Sequence, residues 1–267
     1  MATPSVNQKR GALATALLLL LQGEQMTPVS AGWNADRVHH VDALGAAHLF
    51  RGPAPVANES TFVFDELRAT VQNVARREAG ATIPDEFALI VVSLLQAVKP
   101  SEGKELKAEE DFFDSLPPPP QGPASAANGT RLVKWPIVGD LTAPSSAATK
   151  QICLQHAAQY DSRPDHMVTK TTELRGILET AAALDPPQPT VVYFHCDAGM
   201  DRTGEVYGDY KMMYGNQTYE QVYAYDNTIE GPGGRKIHDV SNNALEWMCL
   251  YLQQQPGAFD PQCNKCQ

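Results

Sequence analysis

The stretch Val191-Val192-Tyr193-Phe194-His195-Cys196-Asp197-Ala198-Gly199-Met200-Asp201-Arg202-Thr203-Gly204 decides how this chain reads. Five β-branched or aromatic residues run straight into Cys196, the pattern of a buried strand. Gly199 permits close backbone approach, and Thr203-Gly204 open a helix-compatible run. The order is strand, loop, helix, with a Cys and an Arg separated by five residues. A loop whose successive N–H groups point inward at a helix N-terminus binds a dianionic phosphate through amide dipoles and the positive helix end. The same field favours a thiolate. Cys196 then attacks phosphorus to form a phosphocysteine. The backbone of Asp197, Ala198, Gly199, Met200 and Asp201 cradles the phosphate oxygens. Arg202 grips two of them bidentately, a geometry Lys does not offer. Thr203 is placed for its hydroxyl to hydrogen-bond the sulfur when it leaves in the second step. The bland alternative, a structural Cys ending a core strand near a surface Arg, is outweighed by the motif taken whole.

The run HCDAGMDRTG resembles the His-Cys-x5-Arg-Thr signature of the protein tyrosine and dual-specificity phosphatase superfamily. The resemblance is specific over about 191–211 and extends loosely from Leu49-Phe50-Arg51-Gly52 to Tyr251. It implies an α/β fold in three layers: a central, mostly parallel sheet flanked by helices, the nucleophile at its C-terminal edge, and a helical C-terminal part. Strands resembling the family's are expected at Phe87–Leu95 and Leu132–Val138. Helices are expected at Gly204–Tyr214, Thr218–Thr228 and Ser241–Gln254, with a turn at Gly231-Pro232-Gly233-Gly234. The branch that carries its Cys near the N-terminus is excluded by position 196.

The resemblance also implies an Asp upstream of the Cys that protonates the leaving oxygen. Two candidates compete. Asp140 in Trp135-Pro136-Ile137-Val138-Gly139-Asp140 follows a strand-like stretch, where the family's acid loop begins, but lies 56 residues before Cys196. Asp165 in Arg163-Pro164-Asp165-His166 lies 31 residues before it and is similar to a Pro-Asp-His acid loop, after a stretch, Ala147–Tyr160, that reads as helix. Asp140 is favoured. Asp165 also fits as the cap of an amphipathic helix over Val168–Leu184.

With 267 residues, 43% hydrophobic and 19% charged, the chain can bury one sizeable core, and we read one domain over 32–267. Of the 20 prolines, four stand together at Pro117–Pro120, inside an acidic and then Ser/Ala/Gly-rich stretch, Lys99–Gly129, that reads as a mobile surface insertion. The net charge of −10 argues against nucleic acid and anionic membrane as partners. Members of the resembled superfamily that act on highly phosphorylated inositols often carry Lys in this loop, where this sequence has Asp197 and Asp201, so the resemblance disfavours such substrates. The expected substrate is therefore a phosphotyrosine-type or lightly phosphorylated inositol monoester, and the chemistry asks for no cofactor or metal. Arg235 and Lys236 read as a solvated turn before they read as a second anion contact. Two other classes compete with an active phosphatase. One is a catalytically weak phosphate-binding module; the other is sulfur-transfer or arsenate chemistry on a similar loop, which Arg202-Thr203 and the helical tail disfavour.

At the N-terminus, Lys9-Arg10 precede the apolar run Gly11–Leu21, and Val29-Ser30-Ala31 offer small residues for cleavage, so residues 1–31 read as a secretory signal. The run is too short to span a bilayer, and no permanent anchor is expected. Sequons at Asn58, Asn128 and Asn216 fit a secreted or lumenal glycoprotein. With Cys196 set aside, Cys153, Cys249, Cys263 and Cys266 can form two disulfides in any of three pairings. Oligomeric state is not legible.

Overall fold

The computed structural model describes residues 33–117, 129–229, 235–263, 265 and 266. The signal-like segment, the sequon at Asn128 and the Gly-rich turn lie outside them. Strands β1 (His39–Leu44), β2 (Ala47–Pro53), β5 (Ala88–Ser93), β6 (Arg131–Lys134) and β7 (Thr190–Cys196) form one sheet in the order β1-β2-β7-β5-β6. Only the β1–β2 pair is antiparallel; β2, β7, β5 and β6 run parallel. Two short strands, β3 (Val56–Ala57) and β4 (Thr61–Phe62), make a separate hairpin.

Strand β7 lies in the middle of the sheet, and every residue from Thr190 to Cys196 is buried. That explains its unbroken apolar run, because a parallel strand covered on both faces has no solvent side to alternate with. Its side chains nevertheless divide by the period of two. Val192 and Phe194 join Leu49, Ile90 and Val92 in one core, while Val191 and Tyr193 join Phe50, Leu89 and Val91 in the other. Helices α1 (Phe64–Val74) and α2 (Pro100–Ser115) lie on the second face. The first face carries α3 (Lys150–Ala158), α4 (Met167–Ala182), α5 (Asp201–Tyr214), α6 (Tyr219–Asp226) and α7 (Asp239–Leu252). The expected three-layer α/β architecture with a helical C-terminal part is thus present, with Cys196 at the C-terminal end of its central strand. The expected strand over 132–138 is shorter, since pairing with β5 ends at Lys134 and Trp135-Pro136 begin a loop.

The reading of Lys99–Gly129 as a mobile insertion is corrected for its first half. Residues Pro100–Ser115 form helix α2, opened by a proline at its first position and packed on the sheet through Ala108 and Phe112. Its high acidic content suggested a solvated segment, yet Glu102 and Glu109 are buried, because each finds a cationic or imidazole partner across the fold. Residues 118–128 lie outside the described set.

The four remaining cysteines form two disulfides, Cys153–Cys266 and Cys249–Cys263. They tie residues 263–266 to α3 and α7, and Cys196 stays a free, buried thiol. Among the described residues no helix is long and apolar enough to cross a membrane.

Candidate active site

The loop from Cys196 to Arg202 is held by its carbonyls. Ala54 N–H donates to the Asp197 carbonyl (3.0 Å), Arg37 to that of Ala198 (2.9 Å), buried Arg51 to that of Gly199 (3.2 Å), and Gly204 N–H to that of Met200 (2.7 Å). None of the backbone N–H groups from 197 to 202 donates to a protein acceptor among the described residues. With four of its carbonyls bonded to protein donors and its amides free of protein acceptors, the loop leaves those amides available at the N-terminus of α5, as an anion site requires. Gly199 makes the turn possible. Its φ is +71°, and a Cβ there would meet the Pro53 nitrogen at 2.4 Å. Arg51 is itself fixed by a buried ion pair with Asp226 and by the faces of Tyr207 and Tyr225.

Arg202 is buried, and Glu102 of α2 grips it end-on: Nη1 to Oε2 and Nη2 to Oε1, both 2.8 Å, while Nη1 also donates to the Leu94 carbonyl at 2.9 Å. Those bonds occupy both Nη1 protons and one on Nη2. The side edge, with Nε–H and the second Nη2–H, keeps two parallel donors for phosphate oxygens. Burial opposes the charge on Glu102, but hydrogen bonds from Arg202, the Gln96 amide and Lys99 outweigh it and hold the carboxyl below the usual range.

His195 is fully buried and reaches Glu109 of α2 at 2.8 Å, while its other ring nitrogen lies 3.3 Å from the Cys196 carbonyl. Between Glu102 and Glu109 on the same helix face stands Glu105, half-buried beside Asp197. Burial first, then Asp197, pushes its carboxyl up to about 7. The sequence reading missed this acidic face. Its signal was the spacing Glu102, Glu105, Glu109 next to Ala108 and Phe112, which puts carboxylates beside the apolar stripe that docks.

The Thr203 hydroxyl accepts from the Cys196 amide at 2.7 Å and lies 3.5 Å from the Gly52 carbonyl, which fixes the start of the loop. Asp201 takes a bidentate contact from Arg235 (2.5 and 2.8 Å) and the His238 amide (2.7 Å); against burial, these hold its carboxyl below the usual range. Arg235, although exposed, is thus a partner of the loop.

The two acid candidates lie together. Asp140 and Asp165 line one cavity, yet each is engaged. Asp140 is ion-paired with Arg163 and accepts from the Thr142 amide and hydroxyl. Asp165 Oδ2 accepts from the amides of Val138 (2.8 Å) and Gly139 (2.7 Å), bracing the loop that carries Asp140. It does not cap α4. That role falls to Asp161, which accepts from the Thr169 amide and hydroxyl.

Fold and loop together place a Cys-x5-Arg segment at the C-terminal edge of a mostly parallel sheet. No protein-family model matches this sequence, and no curated protein matches it. Among solved structures the chain is similar to tyrosine- and dual-specificity-phosphatase-like proteins. A human tyrosine phosphatase-like serine/threonine/tyrosine-interacting protein shares 14% identity at a TM-score of 0.33, over 76% of this chain and 93% of that one. TpbA of P. aeruginosa shares 13% at 0.33, over 85% and 96%. The core catalytic domain of the PP-IP phosphatase SIW14 from S. cerevisiae shares 14% at 0.32, over 84% and 90%. Likeness at that level is distant, and the reading of the site rests on the geometry above.

Proposed function

We propose that the protein is a cysteine-dependent phosphatase that hydrolyses phosphate monoesters through a phosphocysteine, acting on phosphotyrosine-type or lightly phosphorylated inositol substrates. The observation that carries this is the loop in which the carbonyls of Asp197 to Met200 are bonded to protein donors and the amides are left without protein acceptors, beside a free Cys196, while the side edge of Arg202 stays available. In the first step Cys196 Sγ forms a bond to phosphorus, the ester P–O bond breaks, and the leaving oxygen takes a proton from Asp140, the favoured acid. Water then attacks phosphorus while the Asp140 carboxylate takes its proton, and the P–S bond breaks to release the thiolate. The loop amides and Arg202 hold the equatorial oxygens in both steps.

A second reading has its own observation. With Asp140 ion-paired to Arg163 and Asp165 occupied by two amides, the cradle can bind phosphate while proton delivery is poor, as in a weakly catalytic binding module. Steady-state hydrolysis of p-nitrophenyl phosphate, a phosphotyrosine peptide and phosphoinositides by the oxidised full chain, beside Cys196→Ser, separates the two. Turnover lost in the variant supports the phosphatase; tungstate binding without turnover supports the module. Secretion is part of the same proposal. It is supported by the two disulfides and by exposed sequon asparagines Asn58 and Asn216, and a glycosidase-sensitive mass in expressed protein tests it.

A further inference from the structure

The cavity beside the acid loop holds buried groups that the proposed chemistry does not use. It measures about 420 Å³ and is walled by apolar side chains, among them Val138, Pro164, Met167 and Ala244. Glu205 of α5 and Tyr160 line its inner side, and both are almost completely buried. One turn further along α5 lies Asp209, also fully buried. Among the described residues, neither oxygen of Glu205, neither oxygen of Asp209, nor the Tyr160 hydroxyl has a well-aligned hydrogen-bond partner. The Ser241 hydroxyl beside Glu205 is close without a well-aligned bond.

Cations stand nearby but are spoken for. Arg163 pairs with Asp140 and lies over the Trp247 ring at 4.3 Å, Lys170 donates to the Pro136 carbonyl at 3.2 Å, and Arg202 is held by Glu102. None pairs with Glu205 or Asp209. Buried carboxyls left this way are costly unless they keep a proton or meet a cation. Burial, followed by Asp209 and Asp165, raises the Glu205 carboxyl well above its usual range.

We propose that this cavity binds a primary ammonium carried on an apolar stem, with Glu205 as its counter-ion and the Tyr160 hydroxyl as a second polar contact. The ammonium enters charged, Glu205 gives its proton to solvent, and the stem packs on Val138, Pro164 and Met167. The source is either a free amine or a lysine side chain, which share this chemistry. Because Gly139 lies over the carboxylate, a Cβ there meeting Glu205 Oε2 at 3.2 Å, an occupant presses on the segment bearing Asp140. The proposal does not depend on phosphatase activity.

The test is calorimetric titration of the oxidised full chain at pH 7.5 with n-butylammonium and with Nα-acetyl-lysine amide, using n-butanol as the neutral control, in two buffers of different ionisation enthalpy. We expect saturable binding of at least one amine, proton release on binding, and a loss of at least tenfold in affinity in Glu205→Gln with the near-ultraviolet circular dichroism retained. Ala244→Leu, which adds apolar volume to the cavity and leaves the Glu205 side chain in the sequence, is expected to block the same binding and serves if Glu205→Gln does not fold. Binding of the lysine amide alone assigns the source to a peptide, and binding of butylammonium assigns it to free amines. No saturable amine binding, equal affinity in both variants, or butanol binding as well as the amines overturns the proposal.

Discussion

The ion pair between Glu102 and Arg202 gives the sharpest prediction, because it joins a segment that reads as a surface insertion to the residue that would hold phosphate. In Glu102→Ala the guanidinium, 9% exposed, keeps only the Leu94 carbonyl, while the Gln96 amide and Lys99 lose their acceptor. Stranding a buried charge in this way costs about 3–5 kcal/mol. With a urea dependence of about 2–3 kcal/mol per molar, the unfolding midpoint falls by about 1–2 M. Arg202→Ala leaves the mirror-image orphan, a carboxylate with Gln96 and Lys99 still attached, and should cost less. The double variant removes both charges, so its loss should fall short of the sum by about 2 kcal/mol or more. Urea unfolding of the four proteins, disulfides intact, measures that coupling. A coupling below about 0.5 kcal/mol would show that the two groups are independent and that α2 does not position Arg202.

The remaining expectations concern the loop and its proton. Cys196→Ser should abolish turnover and keep tungstate binding, and a Ser variant with normal activity would end the phosphocysteine mechanism. Asp140→Ala should slow phenyl phosphate at least about tenfold more than p-nitrophenyl phosphate. If only Asp165→Ala shows that selectivity, the acid is Asp165, and if neither does, neither is the acid. Gly199→Ala forces a side chain into αL geometry, worth about 1–2 kcal/mol, and drives its Cβ against Pro53, so tungstate affinity should drop more than tenfold; an unchanged affinity would mean the turn is not needed. Folded Glu105 titrates at about 7 against an ordinary 4.5, so between those values the folded state retains a proton the unfolded chain has released. Stability should therefore fall as pH rises from about 4.5 to 7, by about 1 kcal/mol once partial exposure is allowed for. Glu105→Gln should flatten that slope in thermal melts between pH 5 and 8, and an unaltered slope would place the proton elsewhere.

What could be read in advance was local. Strand β7, its loop and the start of α5 are contiguous in the chain, and their periodicities and glycine declare themselves within fifteen residues. The groups that work on that loop from a distance do not. Arg51 reaches Gly199 across 148 positions, Arg37 reaches Ala198 across 161, and Glu102 reaches Arg202 across 100. No spacing rule links such pairs. Helix α2 was hidden for a related reason: its buried glutamates look solvated until their partners are known. Adjacency to Arg202 suggested a role for Thr203 at the sulfur; its contact with the Cys196 amide could not be read from that adjacency. Asp165 was ambiguous because capping and loop bracing ask for the same side chain.

The two disulfides also order events during synthesis. A chain emerging N-terminus first presents Cys153, Cys196 and Cys249 before either native partner, Cys263 or Cys266, exists. In an oxidising setting every bond available at that stage is a wrong one, and two of the three possible pairs would consume the nucleophile. Early burial of Cys196 in the central strand is then a safeguard for the reactive thiol as well as a packing choice. Displacing β7 residues such as Val192 or Phe194 should therefore appear first as mispaired isomers, before any fall in the stability of correctly bonded protein.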